Sequence, residues 1–276
     1  MKLRNYLRRT GASVSGRPTL ELLGDLLRAH VTHVPFENLD VQLGSRLSTD
    51  VEAAYEKIVE RARGGWCYEQ NGLFGWALGE LGFDVTRVAA GVMREERGAA
   101  ADANHLCLLV RLPEDEGSVW LADVGLGGSL FGPLPLAVST ETHPPFRVGL
   151  ERQPDGRWRF FENSRHGRFS FDFTAAAADE KALSARCLEL QTDPESSFVL
   201  NLIAQLRLRD EHVALRGRVL TRTKTQGASR RTLDSAEELV GTLESVFGLD
   251  VPAAAALWPR IVARHDALFG DAGPDG

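Results

Sequence analysis

Three side chains, far apart in the chain, have the types that nucleophilic catalysis needs. Cys67 stands in Arg63-Gly64-Gly65-Trp66-Cys67-Tyr68-Glu69-Gln70-Asn71-Gly72-Leu73-Phe74, directly after a glycine break. Leu73, Phe74, Ala77, Leu78 and Leu81 then follow helical spacing, and Gly82 reads as the stop. The spacing predicts Cys67 at or near the first turn of a buried helix. Free N–H groups and the helix dipole favour negative charge there, and the thiolate, not the thiol, is the nucleophile. Such a nucleophile needs a base, and the base needs a third group to orient it. Of the seven histidines, His105 opens an apolar strand pattern, Asn104-His105-Leu106, where an unpaired ring would be costly. Asp123, in Leu121-Ala122-Asp123-Val124-Gly125, has the same problem near the end of the next strand. Each has a plainer reading: a packed core cysteine, and a structural His–Asp pair in a hairpin.

Hairpin geometry brings the last two together. In an antiparallel pair the start of one strand lies beside the end of the next. Folding about Glu114-Asp115-Glu116-Gly117 sets His105 opposite a residue about three past Asp123 in strict register, a gap that a bulge closes. Asp123 shares a strand face with Leu121 and Val119, and His105 with Cys107 and Leu109. The expected arrangement has Asp123 on Nδ1 of His105, leaving Nε2 for Cys67. Gly125-Leu126-Gly127-Gly128 follows at once. Glycines there allow a ligand close to the backbone, and N–H groups can form an anion nest suited to a pyrophosphate; a tight turn is the plainer reading. Cys107 and Cys187 read as packing residues. Arg207, Arg209, Arg216, Arg218, Arg222, Lys224, Arg230 and Arg231 make the C-terminal part locally basic, either as a solvated face or as a landing place for the phosphates of an anionic cofactor.

The elements that must carry these residues are helical first and strand-rich afterwards. Leu20 to Val34 reads as a helix ended by Pro35, and Val34-Pro35-Phe36-Glu37-Asn38-Leu39-Asp40 as an ordered connection. His30 and His33 lack metal-site spacing and read as structural or solvent-facing. Thr49-Asp50-Val51-Glu52 is a capping-box pattern for a helix that Gly64-Gly65 terminates. Strands are predicted near 85–92, 106–112, 119–124, 134–138, 146–150, 158–162 and 169–173, separated by Gly, Pro and Asp clusters, which suggests a barrel or sandwich. From Ala175 the pattern loosens. Strands are expected around Arg216-Gly217 and helices over 235–247 and 253–268, with a frayed tail from Gly270.

Composition narrows the class. The chain has 276 residues, 43% hydrophobic and 25% charged, with net charge -6, an ordinary globular balance with room for a core. A pI near 5.7 offers no global basic field for nucleic acid. No apolar run reaches membrane-spanning length, and Met1 to Thr10 lacks the apolar segment of a signal peptide. Three cysteines far apart give neither a disulfide framework nor a metal spacing, so a reducing, cytoplasmic setting is expected.

Four motifs, in order, and two stretches further on resemble those of the arylamine N-acetyltransferases. The Arg63–Leu73 stretch is similar to their active-site signature and Val34–Asp40 to their N-terminal motif. Asn104-His105-Leu106 and Asp123-Val124-Gly125-Leu126-Gly127 are similar to their His and Asp motifs, and Ser197-Phe198 and Leu215-Arg216-Gly217-Arg218 to their third domain. The likeness spans nearly the whole chain. It implies an α+β fold of three parts around a cysteine-protease-like Cys-His-Asp core: a helical bundle over 1–84, an antiparallel β-barrel over 85–190 and an α/β lid over 191–276. It implies a catalytic triad of Cys67, His105 and Asp123, with the backbone N–H groups of Cys67 and Tyr68 as oxyanion donors. Phe36, Leu126 and Phe198 would line the acceptor pocket, and Gly125, Gly127, Gly128, Arg216 and Gly217 would meet CoA. Many members have Phe where this chain has Leu126, which removes a stacking ring and widens the site. Asn104 stands where Thr is common.

The implied reaction is a double displacement. Acetyl passes from acetyl-CoA, a co-substrate and not a bound cofactor, to Cys67, and thence to an arylamine, arylhydrazine or arylhydroxylamine. An amide synthase of the same fold, closing a macrolactam from a carrier-protein-bound chain, would share the triad. A cysteine hydrolase and a non-catalytic binding module are two further readings; the motif match and the intact triad residues weigh against them. The acceptor, the acyl length and the oligomeric state are left open.

Overall fold

The computed structural model describes residues 1–164 and 167–270; the expected frayed tail lies outside the described residues apart from Gly270. Helices α1 (Leu3–Thr10) and α2 (Leu20–His33) open the chain. Thr19 caps α2 by accepting the Leu22 N–H, and Leu22, Leu23, Leu26, Leu27 and Val31 form its buried stripe. A short strand β1 (Phe36–Glu37) and helix α3 (Leu39–Gln42) follow. Helix α4 (Val51–Tyr55) passes into a π-helical turn over Glu56–Glu60. Asp50, not Thr49, is its cap, accepting the Glu52 N–H. The helix also stops before the glycines expected to end it. Ala62 already has φ 52°, and Gly64 serves close packing instead: a Cβ there would overlap the Pro35 carbonyl. Helix α5 (Cys67–Glu80) then begins at the expected cysteine, and Gly82 adopts φ 88° beyond its end.

Strands β2 (Asp84–Val92), β3 (His105–Leu112), β4 (Asp115–Ala122) and β5 (Leu134–Pro135) join β6 (Ser139–His143), β7 (Phe146–Arg152), β8 (Trp158–Ser164) and β9 (Gly167–Phe173). The short helix α6 (Arg94–Arg97) interrupts the series. These strands form one eight-stranded antiparallel sheet in the order β5-β4-β3-β2-β9-β8-β7-β6, curled into a nearly closed barrel. Leu106, Cys107, Leu108, Leu109 and Val110 are all buried, because the barrel interior covers one face of β3 and α5 packs against the sheet from the other side. Most of the core is one continuous cluster joining α1, α2 and α5 to the barrel.

Helices α7 (Glu180–Thr192) and α8 (Ser197–Leu200) lead into a second antiparallel sheet. It holds β10 (Ile203–Arg207), β11 (Glu211–Arg216), β12 (Val219–Lys224) and β13 (Gly227–Thr232). Its order is β1-β10-β11-β12-β13, so a strand from the N-terminal segment forms one edge. Helices α9 (Ala236–Phe247) and α10 (Trp258–Phe269) cover this sheet through a separate apolar cluster. Among the described residues no helix is long and apolar enough to cross a membrane.

Candidate active site

Cys67 is the first residue of α5 and is 3% exposed. The first N–H groups of a helix have no intrahelical acceptor, so those of Cys67 and Tyr68 point along the axis towards the thiol's surroundings. The turn is tightly braced. Glu69 accepts the Trp66 N–H (3.1 Å) and the Lys57 ammonium (3.0 Å). Lys57 also lies 3.1 Å from Asp40 and 3.7 Å from Glu37, and Arg63 bridges Glu37 (2.9 Å) and Asp40 (3.0 Å). This buried network ties the connection at 36–40 to the cysteine segment. Gln70 Nε2 adds bonds to the carbonyls of Pro35 and Gly65.

His105 and Asp123 meet as expected, through a different nitrogen. Asp123 Oδ2 lies 2.6 Å from Nε2 of His105, not Nδ1, so Nδ1 is the nitrogen left for Cys67. A register shift at Arg111/Leu112 sets Leu108 opposite Ala122 and Leu109 opposite Leu121, and the ladder extended would set His105 opposite Gly125. Asp123 reaches the ring because it lies beyond the end of β4. Its Oδ1 accepts Asn71 Nδ2 and the Gly125 N–H, both at 2.8 Å. Held there, it approaches the far side of the ring. Burial works against a charged His105, but the charge and hydrogen bond of Asp123, with Cys67 beside the ring, outweigh it and push it up to about 10. Phe171 packs against the ring, with centroids 5.1 Å apart. The other two thiols sit differently. Burial and Asp123 push Cys107 well up, and burial with the nearby Cys67 pushes Cys187 up to about 12, as suits packing residues.

Asn71 is the residue that sequence reasoning left unassigned. It donates to Asp123 and to the Leu106 carbonyl (2.6 Å) and accepts the Val124 N–H (3.0 Å). It bonds the segments carrying His105 and Asp123. The signal was its spacing: four residues after Cys67, it shares that residue's helix face.

Phe36 and Phe198 come together beside the thiol, with centroids 6.3 Å apart. Trp66 packs edge-on to Phe198 at 5.3 Å, and all three belong with Cys67 and Tyr68 to one apolar cluster. Tyr68 is anchored by its hydroxyl, which donates to the Ala103 carbonyl (2.7 Å), while Asn104 ties to Val92. Leu126 is half-buried and packs against the barrel cluster. The glycines of its loop face protein. A Cβ at Gly125 would sit 2.8 Å from Cys67 Cα, one at Gly127 would overlap Gln205, and one at Gly128 would overlap Arg207. Arg216 is exposed at the β11–β12 turn, where Gly217 takes φ 57°. It pairs with Ile203, at the opposite end of β10 from Arg207, so Arg216 lies roughly 7–13 Å along the strand from Gln205 and Arg207, the side chains that meet the glycine loop.

The chain matches the N-acetyltransferase family over residues 19–256. It is 34% identical over 265 residues to the arylamine N-acetyltransferase of Mycolicibacterium smegmatis, covering 91% of this chain and 93% of that one. The Mycobacterium tuberculosis arylamine N-acetyltransferase is 36% identical over 244 residues, covering 85% and 84%. The solved structure of the M. tuberculosis enzyme superposes with a TM-score of 0.84 over 94% of this chain and 99% of its own, at 32% identity. The Mycobacterium marinum arylamine N-acetyltransferase in complex with CoA superposes with a TM-score of 0.84 over 95% and 98%, at 31% identity.

Proposed function

The chain belongs to the arylamine N-acetyltransferase family, and on that premise we propose that it transfers acetyl from acetyl-CoA through a Cys67 thioester to small aromatic amines, hydrazines or hydroxylamines. One observation carries the mechanism: a buried His105, bonded through Nε2 to Asp123 and lying against a cysteine at a helix N-terminus. The CoA complex of the M. marinum relative supports the donor.

In the first half-reaction the Cys67 sulfur attacks the acetyl carbonyl carbon of acetyl-CoA. The N–H groups of Cys67 and Tyr68 receive the developing oxyanion. The bond from acetyl carbon to CoA sulfur breaks, and the His105 proton passes to the departing CoA thiolate. In the second half-reaction the amine nitrogen attacks the thioester carbon and gives its proton to His105. The bond to Cys67 sulfur breaks, the sulfur leaves with the bonding electron pair, and His105 is again protonated beside it. Asp123 stays ionised throughout, steadying the charged ring. Phe36, Trp66 and Phe198 give the acceptor an apolar wall that disfavours water, the competing nucleophile. Gly125, Gly127 and Gly128 would serve CoA through backbone N–H groups, since their open faces are filled by protein. Arg216 and Gly217, at the other end of β10, would meet a separate part of the donor. Leu126 would widen the acceptor side.

The test is intact-protein mass after incubation with acetyl-CoA and no acceptor. Wild type should gain one acetyl group, about 42 mass units for the covalent intermediate, and Cys67→Ala should gain none. An arylhydrazine should then discharge it. A wild type that stays unmodified while its thiol still reacts with iodoacetamide would overturn the reading.

A further inference from the structure

The loop that leaves Asp123 is held at its far end by the second sheet. Cross-strand pairing sets Arg207 opposite His212, and Gln205 lies two residues from Arg207 along β10. Side chains of a strand alternate, so all three share one face, the face turned towards the loop. His212 Nε2 donates to the Gly127 carbonyl at 2.9 Å. Gln205 occupies the space where Gly127 lacks a Cβ, and Arg207 the space at Gly128. Arg207 is itself fully buried. Its Nη2 donates to the carbonyls of His143 and Pro144, and its guanidinium lies 5.1 Å from the Phe131 ring and 5.4 Å from Phe146. Phe146 also packs edge-on to His212 at 5.3 Å. The near end of the loop is set independently, by the Gly125 N–H on Asp123 and by Asn71.

We propose that His212, seated with Gln205 and Arg207, is a positioning residue that fixes the Gly127–Gly128 backbone from the lid and so sets the donor site while leaving the His105–Asp123 pair untouched. The inference rests on acetyl-CoA being the donor. Both glycines take positive φ (68° and 100°), and Gln205 and Arg207 dock onto the bare backbone they leave.

His212→Leu removes the donated hydrogen bond and keeps an apolar side chain; His212→Gln keeps an amide N–H that can donate to Gly127. In His212→Leu the KM for acetyl-CoA should rise roughly three- to tenfold, the effect of one lost hydrogen bond. kcat and the pH profile of Cys67 alkylation by iodoacetamide should hold. Amide hydrogen exchange in a peptide covering 124–131 should quicken in the same variant. His212→Gln should return both readouts to within about twofold of wild type. Unchanged KM and exchange in His212→Leu would overturn the proposal, as would equal changes in both variants, which would mark the ring's packing as the cause. A shifted alkylation profile would show that the lid acts on the acid–base pair instead. A wild type that acetyl-CoA fails to acetylate would sink the donor reading alone, since hydrogen exchange would still decide whether His212 holds the loop.

Discussion

Asn71 shows how much of a cysteine site rests on a neutral side chain. Its amide donates to Asp123 and to the Leu106 carbonyl while accepting from Val124. Hydrogen bonds to charged groups contribute roughly 1.5–3 kcal/mol. Asn71→Ala should therefore lower kcat/KM by roughly ten- to a hundredfold, read from acetylation rates at subsaturating acetyl-CoA. Asp123→Asn goes further, because it removes the charge that, together with its hydrogen bond and the neighbouring Cys67, outweighs burial at His105. The ring, pushed up to about 10 in the fold, exceeds its unfolded value of about 6.5. Its contribution to stability is therefore complete below about pH 6.5 and disappears as pH rises through about 10. Urea midpoints should fall between those pH values in wild type, and Asp123→Asn should flatten that slope. An equal slope in both proteins would assign the loss to other groups.

Helix α5 depends on segments before it. Lys57, only 2% exposed, neutralises Glu69 at the helix start and faces Asp40 and Glu37. Removing one partner leaves buried carboxylates uncompensated, so Lys57→Met should cost about 3–5 kcal/mol. Denaturant unfolding checks this, with Lys57→Arg as the milder comparison. Two glycines of one segment should behave oppositely. Gly64→Ala would press a Cβ into the Pro35 carbonyl, a backbone atom with no freedom to swing aside, and should destabilise markedly. Gly79, inside α5 with open space around it, should tolerate alanine with a gain of roughly 0.5–1 kcal/mol. Melting temperatures of the two variants should therefore move in opposite directions.

At the scale of the molecule, two histidines set an acid limit. Burial pushes His30, bonded to the Tyr6 hydroxyl at 2.9 Å, down to about 3. Burial and Arg207, against the Gly127 carbonyl, push His212 down to about 4. Both lie below the unfolded value of about 6.5, so the fold holds them neutral. That stability is complete above about pH 6.5 and diminishes as pH falls towards 3–4. Wild type should lose urea resistance over this range, and His30→Gln should lose less. The two histidines sit in separate regions, one under the N-terminal helices and one where the lid meets the barrel, so their effects should add.

The start of α5, the succession of strands and the candidate residues Cys67, His105 and Asp123 were legible in the chain, because they depend on local matters: spacing, glycine and proline placement, and the cost of leaving a buried His or Asp unpaired. Cys67 opens its helix, Gly82 stops it, and His105 at the start of β3 meets Asp123 just past the end of β4. Tertiary structure alone decided that Asp123 takes Nε2, since that depends on where the chain turns after leaving β4 and on Asn71 reaching it from another element. It alone decided that β1 joins the second sheet, that Gly64-Gly65 serves packing and not helix termination, and that lid side chains fill the space beside Gly127 and Gly128. Such choices arise from contacts between residues as much as 218 positions apart, as at Gln42 and Arg260, and no local pattern encodes which of many apolar faces will meet.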